Sequence, residues 1–212
     1  MPVPLPGLLL AVTMFKLTPA HLQLLRHSVV LWSPAESGAP GALVSPLLVQ
    51  EGDKLSDATY ADIAKRAGLS KVDKSQIEQL LMEMPEAFEQ LIAHGTLAPG
   101  TYRYDNPLAA IPWSAQTLPT ELANLATDKV VTFQFTDRHS KLLRAARWGG
   151  MMMNPKRPYG DMTSFELDMA QILGEPHDEK RLWKLHTEML SALQVYLLNA
   201  KLEPGEYQRA EP

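Results

Sequence analysis

The chain has 212 residues, 45% of them hydrophobic and 21% charged, with a formal net charge of −4 and no cysteine. Apolar content near the globular average excludes a disordered polymer, and the lack of thiols excludes disulfide scaffolds, thiolate zinc sites and cysteine nucleophiles. A sequence pI near 5.9 argues against a dedicated nucleic-acid binder, which presents a basic surface.

The first feature in chain order is the apolar run Leu5 to Val12, with no Lys or Arg before it. A secretory signal needs a positive leading segment, and a spanning helix needs about 20 apolar residues. Residues 1–14 therefore read as an apolar lead-in. A cytoplasmic location without membrane attachment is expected, in keeping with the absence of disulfides.

From Phe15 onward the chain repeats itself, in three blocks that keep their order. Phe15, Thr18, His21, Leu24, Leu25 and Arg26 are matched by Phe133, Thr136, His139, Leu142, Leu143 and Arg144. Asp62, Ala64 and Gly68 are matched by Asp168, Ala170 and Gly174. Leu97-Ala-Pro99-Gly100-Thr-Tyr102 is matched by Leu202-Glu-Pro204-Gly205-Glu-Tyr207. Between the last two blocks, Leu80, Glu83, Met84 and Ala87 correspond to Leu185, Glu188, Met189 and Ala192. The organisation expected is copy one over 15–105, a Pro-containing linker over 106–128, and copy two over 129–212.

Each copy opens with a strand-like lead, Val12 to Leu17 and Lys129 to Phe135, that ends at a Thr suited to cap a helix. Pro19 suits the first helical position, where its missing donor costs nothing. Leu22, Leu25, Val29 and Trp32 lie at helical spacing, as do His139, Leu142, Leu143 and Ala146, and predict a first helix in each copy. Ser33 to Asp53, rich in Pro, Gly, Ala and Ser, predicts a loop.

A second helix carries Tyr60, Ile63, Ala64 and Ala67 in copy one and Phe165, Met169 and Ile172 in copy two. The latter opens on the capping box Thr163-Ser-Phe-Glu166. The third helix is long, with Ile77, Leu80, Leu81, Met84, Phe88, Leu91 and Ile92 on one stripe, and Leu182, Leu185, Met189, Leu193, Tyr196 and Leu197 on its counterpart. Pro85 predicts a kink or short break near Met84. The Leu-x-Pro-Gly-x-Tyr segments predict type II turns that lead into short strands. The fold class expected is mostly helical with a few short strands (α+β), made of two diverged copies of a strand–helix–loop–helix–helix–turn–strand unit. A pseudo-two-fold arrangement with the two lead strands paired centrally is the expected packing.

Residues common to both copies read as structural: Thr18, His21, Thr136, His139, Asp62 and Asp168. A histidine three positions after a capping Thr packs in the first turn and bonds nearby backbone, and no His-Glu-x-x-His run suggests a metal hydrolase. No metal site or cofactor is expected. Arg26 and Arg144, with Asp62 and Asp168, are expected to form ion pairs between helices. Divergence points to a site. Copy two has Asn154-Pro-Lys156-Arg157-Pro-Tyr159-Gly160-Asp161 where copy one has Ser45 to Asp53, in which Pro, Gly and Asp persist and the basic pair is replaced by apolar residues, and Arg138, Lys141, Arg144 and Arg147 precede Trp148. Arg offers a donor fork for carboxylate or phosphate, and Tyr and Trp anchor desolvated contacts. Met151-Met152-Met153 adds adaptable apolar surface.

Thr136 to Arg144, Lys156 to Asp161, Leu167-Asp168-Met169-Ala170 and Glu203 to Tyr207 together resemble a small uncharacterised bacterial helical domain with a Lys-Arg-Pro-Tyr-Gly loop, here in tandem. The resemblance covers copy two in order and copy one through the shared residues only. It implies a context of immunity or accessory factors beside bacterial toxins. No catalytic residues are assigned, since the Gly-x-Ser-x-Gly elbow, the phosphate-binding loop and the dinucleotide fingerprint are all missing from the sequence. The expectation is a non-enzymatic interaction protein, most concretely an immunity-type inhibitor of a toxin. Its partner-binding residues are Arg157, Tyr159 and Trp148, with Arg147, Lys156 and Gly160 around them. The alternative is a small-molecule or nucleotide-binding enzyme that uses the same basic loop.

Overall fold

The computed structural model describes residues 13–33, 41–45, 56–106, 129–145 and 169–209. In chain order these form β1 (Met14–Leu17), α1 (Pro19–Arg26), β2 (Val29–Ser33), β3 (Gly41–Ser45), α2 (Asp57–Arg66), α3 (Lys74–His94), β4 (Gly100–Asp105), β5 (Val130–Phe135), α4 (Asp137–Ala145), α5 (Glu179–Asn199) and β6 (Gly205–Gln208). Residues 169–173 are also helical. The architecture is mixed: helices predominate, and the strands form three antiparallel two-stranded ribbons.

Two of these ribbons join the two halves of the chain. β1 pairs with β6, with Phe15 opposite Tyr207 and Leu17 opposite Gly205. β4 pairs with β5, with Tyr102 opposite Phe133 and Gly100 opposite Phe135. Thr96 and Lys201 exchange both backbone hydrogen bonds, at 3.0 and 2.9 Å. Central pairing of the lead strands is thereby corrected: each lead strand pairs with the strand that follows the Pro-Gly segment of the other half. That register places the inward residues Phe15, Leu17, Val131 and Phe135 toward the core, because side chains on a strand alternate faces.

The core lies between the long helices. Ile77, Leu80, Met84, Ala87, Phe88, Leu91 and Ile92 of α3 are buried, as are Leu182, Leu185, Met189, Ala192, Leu193, Tyr196 and Leu197 of α5. Together with Phe15, Leu17 and Phe135 of the strands and Leu22, Leu24 and Leu25 of α1 they make one continuous apolar cluster. The stripes read at helical spacing are therefore the buried ones; Leu81 alone of the first stripe is only partly covered.

Three local expectations change. α1 stops at Arg26, so Val29 and Trp32 do not extend it; Val29–Ser33 is a strand paired with Gly41–Ser45, inside the stretch expected as a loop. Ser28 explains the stop: its hydroxyl donates to the Leu24 carbonyl at 2.8 Å, and the β-branched and aromatic run after it favours an extended chain. α5 fixes that strand, because the buried Gln194 amide accepts from the Val30 N–H at 2.9 Å and donates to the Ser28 carbonyl at 3.1 Å. Pro85 does not break α3, which runs unbroken from Lys74 to His94. Pro85 sits on the exposed side, where water can satisfy the carbonyl left without a donor.

Gly100 and Gly205 begin strands and do not take the positive φ of a type II turn. Among the described residues the positive-φ glycines are Gly68 and Gly174, at +69° and +70°. Each closes a helix in the same way. Leu69 N–H bonds the Ala64 carbonyl and Gly68 N–H that of Lys65; Glu175 bonds Ala170 and Gly174 bonds Gln171. This is the left-handed helix stop for which glycine is favoured.

Candidate functional site

The two buried histidines of the described core lie at two places built alike. In the first, Thr18 caps α1. Its hydroxyl accepts from the His21 N–H, and its own N–H donates to Nδ1 of His21 at 3.1 Å. The Thr18 hydroxyl also lies 2.8 Å from Nδ1, and Nε2 of His21 lies 3.0 Å from Oε2 of Glu83 on α3. In the second, Thr136 N–H donates to Nδ1 of His139 at 3.0 Å, and Nε2 lies 3.3 Å from Oε2 of Glu188 on α5. Phe15 packs on His21 and Phe133 on His139, with ring centroids 5.3 and 5.1 Å apart.

The hydrogen bonds fix the tautomer. A backbone N–H can only donate, so Nδ1 must offer a lone pair, and the ring proton sits on Nε2 facing the glutamate. Both rings are almost fully buried, at 1% and 2% exposure. Burial pushes each imidazole below its ordinary value, outweighing the opposite pull of Glu83 and of Glu188; at His139 the nearby Arg138 lowers it further. Each ring is a neutral tie: it holds a helix start with one nitrogen and a long helix with the other.

The expected structural residues Thr18, His21, Thr136 and His139 thus come together as two Thr–His pairs at helix starts. Glu83 and Glu188 complete them. Both glutamates recur at matching places in the two halves of the sequence, and that recurrence was the signal that assigns them to the histidines. Among the described residues Asp62 meets Arg66, one turn along α2 at 2.7 Å, and not Arg26. Arg144 donates to the Gly95 carbonyl at 3.0 Å, so it ties α4 to the end of α3 through backbone.

Arg138 and Lys141, read with the basic helix of the second half, also have structural contacts. Arg138 pairs with Oε2 of Glu175, which Arg181 also approaches, at 3.3 Å, and Lys141 donates to the Leu173 carbonyl at 3.1 Å. Arg147, Trp148, Lys156, Arg157, Tyr159, Gly160, the Met151–Met153 run, the Thr163 capping box and Asp168 lie outside the described residues. No group of His, Cys, Asp and Glu among the described residues is arranged to hold a metal ion. No helix among them is long and apolar enough to cross a membrane. No family model, curated protein or solved structure matches the chain.

Proposed function

We propose that this chain is a tandem duplicate of one helical unit and that it works as a non-enzymatic bacterial interaction protein, most concretely an immunity-type inhibitor that binds and neutralises a toxin. Duplication is supported by agreement in hydrogen-bond detail as well as in sequence. The Thr–His–Glu ties, the glycine helix stops and the strand registers all recur. So do the caps of the long helices, where Asp73 accepts from Gln76 N–H and Asp178 from Arg181 N–H, both at 3.1 Å. Tyr102 and Tyr207 each close the Pro-Gly segment by donating to the carbonyl four residues back, at 2.7 and 2.6 Å. On this reading the halves trade their last strands about a pseudo-two-fold axis near Thr96 and Lys201.

The observation that carries the functional half of the proposal is how the recurrent titratable residues are used. His21 and His139 are buried and employed at both nitrogens in holding helices together, so they act as scaffold. A scaffold of this kind suits a rigid binding surface, whose affinity gains from groups that need not be ordered on association. The partner-binding residues of the proposal are Arg157, Tyr159 and Trp148, with Arg147, Lys156 and Gly160 beside them, because Arg and aromatic side chains supply most of the energy at interfaces.

The test is affinity capture from the native bacterium with the wild type and with an Arg157→Ala, Tyr159→Ala variant. The wild type recovers one stoichiometric toxin-like protein, and the variant loses it while its melting temperature is unchanged. Capture by the variant at wild-type level, or a lowered melting temperature with capture intact, would overturn the assignment of the loop.

A further inference from the structure

We propose that the two Thr–His–Glu ties are acid-sensitive latches set to release in order, the first half (Thr18–His21–Glu83) before the second (Thr136–His139–Glu188). This proposal concerns the scaffold and stands whether or not the partner reading holds. The geometry supplies the latch. In each tie Nδ1 receives a backbone N–H, from Thr18 at 3.1 Å and from Thr136 at 3.0 Å. A second proton on the ring must go to Nδ1, where it meets that N–H head on. The threonine hydroxyl can turn to accept it, but the backbone cannot. Protonation therefore breaks the bond from threonine N–H to the ring and loosens the start of the helix.

The surroundings supply the order. Facing His21 are Thr18, the ring of Phe15 from β1 and, from α3, Glu83, whose other oxygen accepts from the neutral Gln79 at 2.9 Å. Facing His139 are Thr136, the rings of Phe133 and Phe135 from β5, Arg138 on its own helix and, from α5, Glu188, whose other oxygen lies 3.8 Å from the Lys184 ammonium. The places of Arg138 and Lys184 are held in the first half by Ala20 and Gln79. In the second half Arg138, itself paired with Glu175, opposes a positive ring and Lys184 competes with that ring for Glu188; neither cation has a counterpart in the first. The glutamate is also nearer to the ring in the first, 3.0 Å against 3.3 Å.

The sign of the effect follows from linkage. Both rings are held below the ordinary imidazole value, so the closed latch binds fewer protons than the open one. Closure is fully favoured above about pH 6.5, the value of a free imidazole, and is lost as pH falls through each ring's own midpoint. Between those limits, opening increases about tenfold per pH unit, as for any equilibrium that takes up one proton.

Ring titrations followed by NMR on the full chain, with amide exchange of Leu22 and Ser140 corrected for intrinsic rate, test the proposal. Leu22 and Ser140 N–H bond the Thr18 and Thr136 carbonyls in the first turns of α1 and α4. His21 is expected to titrate at higher pH than His139, with Leu22 losing protection before Ser140. Gln79→Lys is expected to lower the His21 midpoint, and Lys184→Gln to raise that of His139, each by on the order of half a pH unit, the size of one exposed ion pair. Both substitutions are at the surface and leave the fold intact. His139 titrating first, coincident midpoints that the two substitutions leave unmoved, or Leu22 exchange that ignores the titration of His21 would each overturn the proposal.

Discussion

α3 and α5 end alike in backbone and differently in side chain. Each is 21 residues long and stops at a residue in extended conformation whose N–H bonds the carbonyl four residues back, Gly95 to Leu91 and Ala200 to Tyr196. The following residues, Thr96 and Lys201, bond each other. At that point the halves part. The buried hydroxyl of Tyr196 crosses to donate to the Gly95 carbonyl at 2.6 Å, where Arg144 also donates. Burial pushes the Tyr196 phenol up, so it keeps its proton and stays a donor. The matching place on α3 holds Leu91, which has nothing to send back. A Cβ on residue 95 would stand 2.4 Å from the Leu91 carbonyl oxygen and 3.0 Å from the Tyr196 hydroxyl. The cap that receives the crossing hydroxyl is therefore glycine, and the other can be alanine. Shared backbone bonds set the plan of each half, and a few unshared side chains decide how the halves are fastened.

This comparison can be broken most forcefully in the core. Ile77 and Leu182 hold equivalent, fully buried places on α3 and α5. Ile77→Ala and Leu182→Ala are each expected to cost about 2–5 kcal/mol in urea unfolding. Costs that differ by more than about 2 kcal/mol, beyond the spread of one substitution type, would show the halves to be unequal in packing. Next in size is Tyr196→Phe, expected to lower stability by about 1–2 kcal/mol by removing a buried donor from the Gly95 carbonyl. Leu91→Met, at the place without a hydroxyl, serves as its reference and should change stability by less than about 1.5 kcal/mol.

Gly68→Ala and Gly174→Ala come third. Nothing lies within 4 Å of a Cβ built at either position, so the cost is that of left-handed backbone alone, about 1 kcal/mol and equal at both. A melting-temperature loss at only one of them would sharpen the comparison by exposing a contact made by one half. The smallest effect belongs to Asp62→Asn. Its partner Arg66 is one turn away and both side chains are exposed, so a change of a few tenths of a kcal/mol is expected, and less in high salt.

Much of this fold was legible because local chemistry and global packing agree. The stripes of α3 and α5 keep the helical period over more than four turns, and nothing competes with that signal. Thr18 was readable as a helix start because few other residues satisfy the first N–H groups. The segment Val29 to Trp32 misled, since its apolar residues fit a helical period as well as a strand. What decides is Ser28 folding back on Leu24 and Gln194 binding from 164 residues away along the chain, and no local window contains the latter. Pro85 misled for a related reason: its cost falls on the solvent side, while the burial of Met84, Ala87 and Phe88 keeps the helix whole.

At the candidate site, the histidines were expected at their own helix starts, and each takes the N–H of its threonine there. The glutamates were visible only as recurring letters, because a bond between positions 21 and 83 is invisible to spacing. The Asp62 expectation failed because Arg66, four residues on, competes at far lower entropic cost than a residue on another helix.

The pairing of β1 with β6 has a topological consequence. Residue 209 hydrogen-bonds residue 13, so the outer edges of the described chain lie side by side, and the other ribbon is bridged only by residues 107–128. Over the described residues the chain closes on itself in all but its covalent seam. A rearranged polypeptide that joined those edges and opened between 106 and 129 would read the second half before the first while keeping all three ribbons. Which half is synthesised first is then a matter of genetic history, and the mature architecture carries little trace of it.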